Sequence, residues 1–210
     1  MPHSYIKKIL NARVYDVARE TPLDAAPLLS SRLNNQVWLK REDLQPVFSF
    51  KCRGAYNKMS RLDESARQAG VVAASAGNHA QGVALAAQKL SIKATIVMPV
   101  TTPAIKVDAV RARGARVVLF GDTFDEAAVR AAELVATQGL TFIHPFDDPD
   151  VIAGQGTVAM ELVRQAPGPL DYVFICCGGG GLLAGMAAYL RYTWPNTRII
   201  GVEPEDAACT

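Results

Sequence analysis

The run Tyr172-Val173-Phe174-Ile175-Cys176-Cys177-Gly178-Gly179-Gly180-Gly181-Leu182-Leu183-Ala184-Gly185 decides the fold class. Tyr172 to Cys176 reads as a strand. Leu182, Leu183, Met186, Ala187 and Leu190 then recur at helical spacing. Arg198-Ile199-Ile200-Gly201-Val202 reads as the next strand. Strand, glycine turn, helix and strand in that order form a crossover unit with parallel strands.

Working outward, the alternation repeats. Val37–Lys40, Val71–Ala74, Ala94–Met98, Val117–Phe120 and Thr141–Ile143 are short and apolar, as strands buried on both faces should be. Between them Ala80, Val83, Ala84, Ala87 and Leu90 keep a helical period, as do Phe124, Ala127, Ala128, Ala131, Leu134 and Val135. Thr123 and Glu126 predict a capping box, and Pro103 suits the first turn of another helix. The expected class is α/β, with doubly wound parallel sheets. The loop His144-Pro145-Phe146-Asp147-Asp148-Pro149 predicts a crossing between domains.

The chain of 210 residues is half hydrophobic and one-fifth charged, which supports a buried core and excludes disorder. A net charge of +2 is too small to point to nucleic acid or an anionic membrane surface. No apolar run is long enough to span a bilayer, and Met1–Lys8 lacks the apolar core of a signal peptide. Cys52, Cys176, Cys177 and Cys209 have neither C-x-x-C nor zinc spacing, so a reduced, cytoplasmic protein is expected. Cys176 and Cys177 read as buried, inert strand cysteines. The last strand runs into Glu203–Thr210 with nothing to cover its edge, so the chain is expected to be part of a longer protein.

Three loops carry candidate chemistry, beyond the carboxyl ends of strands where open α/β sheets bind ligands. Gly178 to Gly181 let the backbone approach a ligand, and the following helix adds its positive end, which suits a phosphate. Gly179, Gly181 and Ala184 also match a relaxed dinucleotide fingerprint, with Glu203 near the expected ribose-binding acid. In Ser75-Ala76-Gly77-Asn78-His79, small residues and backbone N–H groups suit a carboxylate, though Ser75 or Asn78 could simply cap the helix. His79 by itself reads more readily as structural. Lys51 follows Phe48 and Phe50, whose rings would desolvate its amine and make it nucleophilic; a surface lysine is the plainer alternative. Lys40 to Asp43 reads as a solvated turn.

Taken together, Ser49-Phe50-Lys51-Cys52-Arg53-Gly54-Ala55, Ser75 to Gly82 and Gly178 to Leu182 resemble the tryptophan-synthase-β-like (fold type II) pyridoxal-phosphate enzymes. Within these the likeness is to the biosynthetic threonine dehydratases. It extends from about Arg13 to the end, through Lys40-Arg41-Glu42-Asp43, Ile105 to Arg111 and Val151 to Thr157. The resemblance implies pyridoxal 5'-phosphate as cofactor. Lys51 would form the Schiff base, and Phe50 would lie beside it. Asn78 would bond the ring hydroxyl, and Gly178, Gly179, Gly180, Gly181 and Leu182 would hold the phosphate. Ser75, Ala76, Gly77, Asn78 and His79 would form the substrate loop. Serine racemases resemble the chain closely but carry serine at the position of Ala76, and alanine cannot move a proton.

The implied reaction is dehydration and deamination of threonine to 2-oxobutanoate and ammonia, towards isoleucine, with serine giving pyruvate. The implied fold has a large domain from residues 1–50 and 151–210 and a small one from 51–150, the cofactor between them. A homo-oligomer, a tetramer by family analogy, is implied for the full-length protein. Some relatives bind a metal at positions matching Glu203, Ala207 and Cys209; cysteine there disfavours a hard cation, and no metal is expected. The competing expectations are a catalytically impaired cofactor-binding fragment, a serine racemase or serine dehydratase relative and, more distantly, a dinucleotide-dependent oxidoreductase.

Overall fold

The computed structural model describes residues 2–207. In chain order the elements are α1 (Pro2–Leu10), β1 (Leu23–Ala25), α2 (Pro27–Leu33), β2 (Trp38–Lys40), α3 (Lys51–Met59), α4 (Glu64–Ala69), β3 (Val71–Ala74) and α5 (Asn78–Leu90). There follow β4 (Ala94–Met98), α6 (Ala104–Arg111), β5 (Arg116–Leu119), α7 (Phe124–Gln138), β6 (Thr141–Phe142), α8 (Pro149–Gln165), β7 (Tyr172–Cys176), α9 (Gly181–Thr193) and β8 (Arg198–Val202). Val37, Phe120 and Ile143 fall just outside the strands expected to hold them.

One parallel sheet has the order β5-β4-β3-β6. The chain steps outward from β3 through α5 and α6, then α7 returns it to β6 on the far side of β3. That reversal is a switch point, where a crevice opens at the carboxyl ends of β3 and β6. Alternation in the strands feeds both faces. Val71, Ala73, Ile96 and Met98 pack against Ala80, Val83, Ala84 and Ala87 of α5 and Ala55, Tyr56 and Met59 of α3. Val72, Ala74 and Val97 pack against Ala127, Ala131 and Leu134 of α7. The predicted Thr123–Glu126 capping box starts α7, and Gly139 ends it at φ +66°.

β7 and β8 pair in parallel, as the glycine-centred crossover predicts. One face is covered by α8 and α9: Val173 and Ile175 meet Val158, Leu162, Met186 and Leu190. The opposite face does not follow the expectation of burial on both sides. Tyr172, Phe174, Ile200 and Val202 are exposed, Phe174 by 68%. Cys176 shares that open face, contrary to its reading as a buried cysteine.

Helix α3 sits between α5 and α8 at distances only glycine allows. A Cβ on Gly154 would lie 2.6 Å from Gly54 Cα, and one on Gly54 would lie 2.5 Å from Gln155 Nε2. A Cβ on Gly82 of α5 would lie 3.0 Å from the Lys51 carbonyl. On its other side α8 meets α9, where a Cβ on Gly185 would lie 2.4 Å from the Ile152 carbonyl oxygen. Helix α8 begins with Asp148, whose carboxylate accepts from the N–H groups of Asp150 and Val151, and with Pro149 in the first turn.

Candidate active site

The first residue of α3 is Lys51, half-buried, with its amine donating to the Pro145 carbonyl at 2.7 Å. Burial pushes this amine below the ordinary lysine pKa. The Phe50 ring lies 5.6 Å from the nitrogen. Phe48 does not shield the amine as its position suggested: it is 77% exposed, at φ +55°.

The Ser75–Asn78 loop lies at the carboxyl end of β3. Its hydrogen bonding does not match a simple cap. Gly77 occupies the cap position with no side-chain cap bond, and Ser75 Oγ accepts from the Gly77 N–H at 3.2 Å. Asn78 is exposed at the first position of α5, and among the described residues its amide has no hydrogen-bond partner. His79 is buried, with Nε2 2.8 Å from the Ile143 carbonyl oxygen. Burial lowers its pKa to about 4, so the ring is neutral near pH 7.

The glycine loop follows β7 and opens α9. Gly180 has φ +81°, a left-handed conformation suited to glycine. Gly178 faces open space, with nothing within 4 Å of a Cβ there. Gly179 and Gly181 lie against Phe146, whose ring a Cβ on Gly179 would overlap. The first-turn N–H groups of α9 have no intrahelical partners and carry its positive end. Leu182 directs its side chain into the core, so only its backbone is available to a ligand.

The structure therefore brings Lys51, His79 and the glycine loop onto one segment, Ile143 to Phe146. Sequence reading treated that segment only as a crossing. It also missed Arg53, wholly buried behind Lys51. Arg53 forms a bidentate pair with Glu42, both bonds 2.8 Å, and donates to Glu161 at 2.6 Å and Thr157 at 3.1 Å. Glu161 also accepts from Lys40 at 2.6 Å. Lys40 and Glu42 thus belong to a buried network rather than a solvated turn. No local signal marks this network, because Arg53 and Glu161 lie 108 positions apart in the chain. The Glu161 carboxyl stays below its usual pKa despite its burial, because Arg53 and Lys40 outweigh desolvation.

The dinucleotide alternative requires the glycine loop alone and leaves Lys51 unexplained. A family profile, pyridoxal-phosphate dependent enzyme, matches residues 14–210. The chain belongs to this family. It is 57% identical over 208 residues to the biosynthetic L-threonine dehydratase of Burkholderia multivorans, covering 98% of this chain and 41% of that protein. The processed form of threonine deaminase isoform 2 from Solanum lycopersicum superposes with a TM-score of 0.94 at 57% identity, over 97% of this chain and 56% of that one. Maize serine racemase gives 0.91 at 33% identity, over 95% and 61%. The chain thus spans less than half the length of the Burkholderia relative it matches.

The residues present fit the family's cofactor. The backbone at Gly178 is open to a phosphate, α9 presents its positive end, Lys51 offers a desolvated amine and Asn78 an unengaged amide. Among the described residues no group of three or more His, Cys, Asp or Glu forms a metal-binding set. Cys209 lies outside the described residues. No described helix is long and apolar enough to cross a membrane.

Proposed function

We propose that this chain carries the cofactor-anchoring half of a threonine dehydratase, acting on L-threonine to give 2-oxobutanoate and ammonia and on L-serine to give pyruvate. The carrying observation is the meeting of a desolvated lysine amine and a glycine-lined helix start on one segment. Lys51 would hold pyridoxal phosphate covalently, with Phe50 beside it. Gly178, Gly179, Gly180, Gly181 and the Leu182 backbone would hold its phosphate, and Asn78 would bond its ring hydroxyl. Ser75, Ala76, Gly77 and Asn78 receive the substrate carboxylate, and His79 anchors that loop from beneath through Ile143.

When bound, the cofactor withdraws electrons from the substrate Cα and makes its proton removable. Once the substrate's amine has displaced it, the Lys51 amine, kept towards its uncharged form by burial, could take that proton. Holding carboxylate and phosphate on separate strand ends fixes the Cα–H bond relative to the amine. Ala76 supplies no hydroxyl to deliver a proton to the opposite face, which favours elimination over racemisation. The reading includes the domain division 1–50 with 151–210 and 51–150, supported by separate core clusters around the two parallel sheets. It also includes a cytoplasmic location and a homo-oligomeric full-length protein.

The test is reductive trapping. The chain is incubated with pyridoxal phosphate, reduced with borohydride, digested and mapped by mass. Label concentrated at Lys51, and lost in Lys51→Ala, is the expected result. Label spread over surface lysines such as Lys7 and Lys89 overturns the assignment of the anchor.

A further inference from the structure

We propose that His144 is a positioning residue: its Nδ1 holds the turn that aims the Pro145 carbonyl at Lys51 and seats Phe146 against the glycine loop. The inference rests on the cofactor reading above.

Nδ1 of His144 accepts the Asp147 N–H at 2.7 Å and the Phe146 N–H at 3.2 Å. A nitrogen that accepts is unprotonated, so the neutral ring carries its proton on Nε2. The ring stands edge-on to Phe146, with centroids 4.7 Å apart at 85°, and edge-on to Phe142 at 5.9 Å. The turn is fastened at both ends. Upstream, the Ile143 N–H donates to the Val72 carbonyl at 2.9 Å. Downstream, Asp148 caps α8 and pairs with Lys58 at 2.7 Å.

Between these anchors the backbone belongs to no ladder. Pro145 has no N–H. Among the described residues the N–H groups of Phe146 and Asp147 have His144 Nδ1 as their acceptor and no backbone carbonyl in that role. Removing Nδ1 releases two donors, and the peptide units on either side of Phe146 become free to rotate. The same units bear both outward contacts. The Pro145 carbonyl accepts a hydrogen bond from the Lys51 amine at 2.7 Å and so fixes the amine's rotation. Phe146 meets Gly179 and Gly181 at distances that exclude any Cβ. One imidazole nitrogen therefore sets the amine and the phosphate loop together.

Two variants separate the acceptor from the ring. His144→Phe keeps a flat ring without an acceptor. His144→Asn keeps a side-chain acceptor without the ring. Each is compared with the parent chain in two measurements: the rate of borohydride-trapped pyridoxal phosphate at Lys51, and amide hydrogen exchange at Phe146 and Asp147. The expected result for His144→Phe is labelling about tenfold slower and exchange about tenfold faster, the scale of one lost hydrogen bond. His144→Asn is expected to return both to within about threefold of the parent. Parent-like labelling in His144→Phe overturns the inference, as does equal slowing in both variants. If His144→Phe does not fold, the Asn variant decides: parent-like rates uphold the acceptor role, and slow labelling in a folded chain refutes it. A parent that takes no label at Lys51 overturns the cofactor reading and this inference with it; a labelled parent with unmoved variants overturns this inference alone.

Discussion

Replacing Glu161 by leucine should cost about 3–5 kcal/mol of folding stability, the range for leaving a buried charge without its partner. The wholly buried Glu161 carboxylate accepts from Arg53 at 2.6 Å, Lys40 at 2.6 Å, Tyr15 at 2.9 Å and the Thr21 N–H at 3.3 Å. All four bonds end on an ionised carboxylate and are charge-assisted, each worth about 1.5–3 kcal/mol. Their sum exceeds the expected loss because the partners are not left bare. Arg53 keeps both bonds to Glu42, and Lys40 keeps Gln165 at 2.9 Å. Against a typical total of about 5–15 kcal/mol the loss is large. With a urea slope of about 2 kcal/mol per molar, the unfolding midpoint should fall by about 2 M. Glu133→Gln is the control: the Arg130–Glu133 pair is exposed on α7 and should change stability by about 0.5 kcal/mol or less. A Glu161→Leu chain that unfolds within about 1 kcal/mol of the parent would show that the network contributes little, and the reasoning would fail.

Other expectations follow from the same packing and charges. Gly185→Ala places a methyl against the Ile152 carbonyl and should cost about 1–3 kcal/mol, read by the same urea titration. His79 is held neutral with a pKa near 4, whereas the unfolded side chain titrates near 6.5. The unfolded state therefore binds the extra proton between those values, and stability should fall as pH drops from about 6.5 to about 4, by up to ~1.4 kcal/mol per unit. A His79→Gln chain should show a shallower loss over that window in pH-dependent urea titrations; an unchanged slope would place the titration elsewhere. A thiol-alkylating reagent should modify exposed Cys176 well before Cys52, whose thiol is buried and pushed up to about 12, as peptide mass mapping would show.

Much of this architecture is legible locally. The Thr123–Glu126 box, the glycine turn after Cys176 and the short apolar runs each encode a decision that neighbouring residues complete. The Gly178–Gly181 turn is legible for the same reason, since it opens a helix, whereas Lys51 reads alone as a surface lysine and is singled out only by the resemblance. What escaped depends on residues far apart. Helix α8 carries glycines and β-branched residues that weaken a helical reading, and those glycines make sense only against Gly54 and Gly185. Arg53 finds Glu161 across 108 positions, so no window around Lys51 shows that its neighbour is buried. Phe48 and Phe50 flank Ser49 symmetrically, yet the left-handed backbone at Phe48 turns one ring outward and leaves the other beside the amine. The Pro145 carbonyl is invisible to side-chain reasoning because its contribution comes from the backbone.

Helix α3 is a joint without play. Backbone meets backbone on two sides of it, at Gly82 and at Gly154, with no methyl-sized gap to close. Close-packed backbone has little free volume and low compressibility. Any swing of the four-stranded sheet relative to β7 and β8 must therefore carry α3 as a rigid lever rather than deform it. Hydrostatic pressure, which acts on voids, should find little purchase at this crossing. The site's anchor would keep its place while softer parts of the molecule yield.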